Sequence, residues 1–301
     1  MVARGFSVAT LLFLSATFSF SQTSFPDRCP GGRSLPFANI AAKHPIDGTC
    51  GVQGKPSSSA PSHLQNSVKN NFCSTLAPAV VTPQMLIDLQ KNTHVPTGQN
   101  QEPADRSGLR TLGEGKVIRM KANLIEAHFA DLGSGESVNC GQPPNSAEEE
   151  NDIHIAFGPT ANTQECNSVS GEISPHFRPI TWAQIGTFEK FDKVTKKNVV
   201  DPQIASRLQA HPYRITGQLF FDASHSPCPC GTNCNPSRAS DWEIHPIYNI
   251  EVCKAGTSCN VNADSDWISF DSWWKSLEQV QQVKPPHTHE PHEPSAGPGS
   301  K

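Results

Sequence analysis

The sequence predicts a mainly β protein with a few helices: a five-stranded barrel stapled by disulfides, with a C-terminal helix. Three observations predict it. Segments of the second half alternate apolar and polar residues, the period of a half-buried strand: "NDIHIAFG" (151–158), "YRITGQLFFDASH" (213–225) and "DWEIHPIYNIEVC" (241–253). Ten cysteines, an even number, all follow an apolar leader, which is the usage of a disulfide framework in an exported chain. Near the C-terminus, Trp273, Trp274, Leu277 and Val280 fall on one face at helical spacing.

The elements follow in order. Residues 1–21 read as a signal peptide. Arg4 precedes the apolar run "FSVATLLFLSATFSF", and Ser19 and Ser21 are small residues at the positions a signal peptidase reads. The run is short of the roughly 20 residues of a membrane span; a retained anchor helix is the alternative. The mature chain is expected to be secreted or periplasmic, with no membrane span after signal removal. Residues 22–70 are rich in Pro and Ser and read as a linker or loop tied by Cys29 and Cys50. Residues 71–111 form a helical lead-in. Within it Thr82 can cap a helix, Pro83 suits the first position, and Met85, Leu86 and Leu89 make a stripe. The barrel core covers 112–253. The C-terminal helix region covers 254–283, and its aromatic face should dock on the barrel. The tail, 284–301, is rich in His and Pro and is expected to be disordered. Its histidines 287, 289 and 292 could hold zinc or copper loosely.

Five strands are expected in the core. The first, 116–129, changes its apolar parity near Ala122 to Leu124, which calls for a bulge or bend. The second covers 152–157 and the third 168–174. A helix capped by Asp201, with Pro202 first, comes next. The fourth strand covers 213–222 and the fifth 242–252. A long bent strand, a meander, a helix and two closing strands give the order of an OB barrel. A split β-sandwich is the alternative.

"ESVNC", "NDIHIAFG", "RITGQLFFDASH" and "WEIHPIYNIEVC", behind "KNNFC" and "LGEGKV", resemble a group of uncharacterised secreted bacterial proteins with an OB-like β-barrel core. The resemblance spans about residues 70–253. It implies export and a barrel, and no activity.

Cys29, Cys50, Cys73, Cys140, Cys166, Cys228, Cys230, Cys234, Cys253 and Cys259 are all assigned to disulfides. Spacing suggests Cys29–Cys50 and Cys140–Cys166. In "CPCGTNC" the gaps between cysteines are one and three residues, whereas structural zinc sites favour two. The net charge of −4 gives no strong nucleic-acid signature. The run Glu148, Glu149, Glu150 and Asp152 lacks the alternation of a calcium loop and reads as a solvated turn. No partner is indicated.

The candidate ligand or metal face is built by strand parity. Residues two apart share a face, so Asp152 lies with His154, and Glu243 with His245. An OB order puts the third strand between the second and the fifth, which sets Glu172 between the two pairs. Imidazole and carboxylate together suit a divalent transition metal, and a bound metal could activate water, with Arg178 or Arg238 polarising a substrate. The same pattern also fits ordinary cross-strand hydrogen bonds. His225 reads as a loop residue beside Asp222, and His128 and His211 show no partner. Three classes follow: an OB-like binding module of unknown ligand, with Tyr248 and Phe220 as stacking candidates; a metal-dependent hydrolase; or a structural or interaction protein with no small ligand. The first leads.

Overall fold

The computed structural model describes residues 59–72, 77–130, 150–175, 178–192, 195, 197–228, 230–232 and 237–282. The leader, Cys29, Cys50, Cys73, Cys140, Cys234, Glu148, Glu149 and the tail histidines lie outside the described residues. Helix α1 (Ala60–Lys69), strand β1 (Ala79–Val81) and helices α2 (Pro83–Lys91) and α3 (Ser107–Leu112) come first. Strands β2 (Val117–Phe129), β3 (Ile153–Gly158) and β4 (Val169–Ile173) follow. A helical turn, α4 (Ala183–Gly186), leads into the hairpin of β5 (Glu189–Asp192) and β6 (Lys197–Val200). Helix α5 (Pro202–Gln209), strands β7 (Pro212–Phe221), β8 (Trp242–Cys253) and β9 (Trp267–Ser269), and helix α6 (Phe270–Gln282) complete the order.

The barrel closes as the sequence predicts. β2 pairs antiparallel with β3, β3 with β4, β8 with β7 and β7 with β2, while β4 and β8 run parallel. This is the OB order, and the pairing of β2 with both β3 and β7 excludes a split sandwich. The bend in β2 makes closure possible. Ile118, Met120, Ala122 and Leu124 are buried on one parity, then Ala127 and Phe129 on the other. The register against β3 shifts between Leu124 and Glu126, a bulge that turns the strand. The first half of β2 therefore pairs with β7 and the second half with β3. Ile153, Ile155, Phe157, Ile173, Ile215 and Ile244 fill the interior.

The helices obey their local signals. Thr82 caps α2, and Leu86 is buried while Met85 stays exposed. Asp201 caps α5 by accepting hydrogen bonds from the N–H groups of Gln203 and Ile204. On α6, Phe270, Trp273 and Trp274 are buried against the core and Leu277 packs beside them, the docking its face implied. No helix among the described residues is long and apolar enough to cross a membrane.

Two expectations need correction. Residues 60–69 are not linker: Ser59 caps a helix there, and Gln65, Val68 and Lys69 are buried. Cys166 does not pair with Cys140. It is bonded to Cys230, because the turn before β4 and the loop after β7 meet with their Cα atoms 5.1 Å apart. Cys253 pairs with Cys259, and Cys228 is also disulfide-bonded, so no described cysteine is free for a metal.

Gly217 marks a close crossing of β7 and β8. A Cβ there would stand 2.4 Å from Ile244 Cγ2 and 2.6 Å from the Pro246 carbonyl oxygen. Gly217→Ala is expected to cost about 1–3 kcal/mol by overpacking. Urea denaturation checks this, and an unchanged midpoint would mean that the strands part without strain.

Candidate functional site

Strand register builds one lateral row of polar residues on the outside of the barrel. Glu189 of β5 stands opposite His128 of β2, His128 opposite His154 of β3, and His154 opposite Glu172 of β4. Gly171 is the partner of Ile244 in β8, which brings His245 beside Glu172. Each of these strands puts apolar residues inside, so its alternate positions must face out. The predicted parity holds, and Asp152, His154, Glu172 and His245 do converge.

The inner end of the row is buried. His245 Nε2 lies 2.8 Å from Glu172 Oε2 and 3.6 Å from Asp152 Oδ2. The cover is α1 and the residues after it. The Lys69 carbonyl meets His245 Nδ1 at 2.9 Å, and Lys69 Nζ lies 3.2 Å from Glu172 Oε2. Gln218 donates to the carbonyls of Val68 and His245, Asn71 donates to Gln218, and the Tyr248 hydroxyl donates to the Asn71 carbonyl. The helix is thus fastened to the barrel largely by hydrogen bonds and one buried ion pair.

Glu243 leads into a second buried network. Arg238 binds Glu243 at 2.8 Å and Asp222 and Asp241 at 3.1 Å each. Asp222 also accepts from Gln65 and Ser224 and lies 2.6 Å from His225 Nδ1. Neighbouring Arg106, fully buried, binds Glu114, Gln65 and the Phe221 carbonyl.

Electrostatics separate the members. Burial pushes Glu172 up, but Lys69, His154 and His245 outweigh it and hold the carboxyl well below its ordinary range. Burial disfavours charge on His245, yet Glu172 and Asp152 raise its pKa to about 9. Burial, with Glu172 nearby, pushes Glu243 well up despite Arg238. Burial likewise raises Asp152. The inner end is a set of charges compensated from within, by Lys69, Arg238 and protonated His245.

The outer end differs. His154 keeps 28% of its side chain exposed, while His245 keeps none. The His128 and His154 rings stand 5.4 Å apart. Glu126, two residues before His128, reaches His128 Nδ1 at 2.5 Å. Burial pushes the Glu126 carboxyl up, and the hydrogen bond and charge of His128, with Glu189 and His154, bring it below its usual value. Glu165, on the turn before β4, lies close enough to be influenced by Glu126 and His128.

Several expectations change here. His128 has partners after all. Its signal was the same-face pair Glu126 and His128, hidden by the bulge that resets the parity just before them. Glu189 comes from a hairpin that the sequence pattern did not reveal. Neither Arg178 nor Arg238 is placed to polarise a substrate: both are buried, Arg178 donating to the Asn151 carbonyl and Arg238 holding three carboxylates. Phe220 is buried and offers no stacking surface, while the half-buried Tyr248 is held by its hydroxyl on the Asn71 carbonyl. His211 packs edge-on against Trp273.

Comparison with known proteins gave no match to a family model, a curated protein or a solved structure. The barrel and the polar row therefore define the class: an OB-like β-barrel with a His/carboxylate row on its outer wall.

Proposed function

We propose that the protein is an exported OB-like binding module that receives a cationic ligand at the open end of the polar row. The division of the row carries this reading. Its inner end is sealed under α1 and neutralised by Lys69 and Arg238. Its outer end gathers Glu126, Glu189, His128 and His154 on half-exposed positions. Carboxylates and imidazoles together favour positive ligands over polyanions. The disulfides support export. The two arginines suggested as substrate-polarising groups for a hydrolase are committed elsewhere.

The test is a thermal-shift comparison of three probes: divalent cations, a single-stranded oligonucleotide and a neutral oligosaccharide. Cations should stabilise the fold, by about 2.7 kcal/mol at a hundredfold excess over Kd. The oligonucleotide and the saccharide should not. His154→Ala and Glu126→Gln should remain folded and lose the response. A response to oligonucleotide or saccharide that survives both substitutions would place binding elsewhere.

A further inference from the structure

We infer that Glu126, His128 and Glu189, with His154 beside them, form a site for one divalent transition-metal ion of the zinc type. This rests on the binding reading above and gives its ligand a chemical class.

The described residues contain two His/carboxylate groups whose ligating atoms lie within 4.8 Å of one another: Glu126, His128 and Glu189, and the buried set Asp152, Glu172 and His245. The second is unsuited to a metal in this state. Lys69 Nζ stands 3.2 Å from Glu172, so a cation already supplies the positive charge there. His245 also holds a proton to about pH 9, and a metal would have to displace it. In the first group His128 Nδ1 faces Glu126 at 2.5 Å, with no lysine among its three members. Its three members are half-buried, whereas those of the second are fully buried.

Backbone pairing fixes the donors of the outer group. Glu189 and His128 are register partners on adjacent parallel strands, and Glu126 shares the face of His128 because the bulge lies just before it. Two carboxylates and an imidazole from rigid strands are three donors of the kind zinc accepts. His154, the register partner of His128 on the other side, has its ring 5.4 Å away and would need only a side-chain rotation to offer a fourth donor. It is backed by Glu172, whose Oε1 lies 3.7 Å from His154 Nε2. Glu172 is itself anchored by Lys69 and His245. A carboxylate behind a ligating imidazole orients the ring and raises its basicity. The buried inner end would thus brace the outer site. Imidazole donors separate this ligand from calcium or magnesium, which take oxygen.

The experiment uses the full exported chain with disulfides intact and the tail histidines 287, 289 and 292 replaced by Ala, so that the tail cannot contribute. Chelator-stripped protein is dialysed against Zn(II), Co(II) or Ca(II), and bound metal is measured by elemental analysis. One equivalent of Zn(II) or Co(II) is expected, with a visible Co(II) spectrum. His128→Ala and Glu189→Gln should each weaken binding at least about tenfold, the lower range seen even for outer-shell partners. The isosteric Glu126→Gln should do likewise while the protein stays folded. Binding that survives these changes but is lost in His245→Ala would overturn the assignment. So would uptake of calcium without zinc, although the cation-binding module would then stand. Response to no cation at all would remove both readings.

Discussion

Arg238→Met is expected to cost about 3–5 kcal/mol, the usual penalty for removing one partner of a buried ion pair. Arg238 is 2% exposed and binds Asp222, Asp241 and Glu243. The three carboxylates would not respond alike to its loss. Glu243 is pushed well up by burial and by Glu172, and burial raises Asp241 to about 7. Both can take protons once the guanidinium is gone. Asp222 cannot do so cheaply, because burial is outweighed there by His225 as well as Arg238, and its carboxyl sits well below the usual range. The cost should therefore concentrate on Asp222, and a second substitution, Asp222→Asn, should recover part of it. Urea denaturation of the single and double variants measures both. A loss below 1 kcal/mol for Arg238→Met would show that the network relaxes or admits water.

The fold was legible because its signals are periodic. β2, β3, β4, β7 and β8 carry strand-period apolar residues, and the parity change in β2 announced the bulge that bends it. The caps Thr82 and Asp201 marked two helices by local hydrogen bonding alone. What escaped notice lacks an apolar period. α1 reads as part of a Pro- and Ser-rich linker or loop because the face it buries is mostly polar: Gln65 binds Asp222, Lys69 binds Glu172, and Val68 is its one buried apolar residue. A helix held by hydrogen bonds leaves no stripe for a periodicity argument to find. The capping serine, Ser59, and Pro61 in the first turn were the only cues.

The candidate face was half legible for a related reason. Parity along one strand places Asp152 with His154, and OB order places Glu172 between β3 and β8; both are short-range rules. Burial is not. That α1 would seal His245 and present Lys69 to Glu172 depends on a segment far away in sequence. Glu189 likewise reaches His128 only through a parallel pairing of β5 with β2. The sequence pattern therefore groups Asp152, His154, Glu172 and His245 but carries no information on which of them α1 covers.

The sealed end makes stability depend on pH in a defined direction. The pKa of His245 is raised from 6.5 to about 9, burial being outweighed by Glu172 and Asp152. Below pH 6.5 the folded and unfolded chains both hold this proton, and the full stabilisation is present. Between 6.5 and about 9 the unfolded chain releases it while the folded chain keeps it, so stability falls as pH rises. Above about 9 the contribution is gone. A displacement of this size corresponds to about 3 kcal/mol. Asp241, raised from 3.8 to about 7, acts with the same sign at lower pH. Glu172 and Asp222, both held low, oppose it only in acid, where their protonation removes stability. The optimum should therefore be mildly acidic, and the urea midpoint should drop between about pH 6 and pH 9.5. His245→Gln retains a donor for the Lys69 carbonyl but cannot titrate, so its profile over that interval should be much flatter. An equal drop in parent and variant would assign the pH dependence to other groups and leave His245 uncharged in the fold. Lys69 would then be the main cation facing Glu172, and Lys69→Met would become the more damaging change.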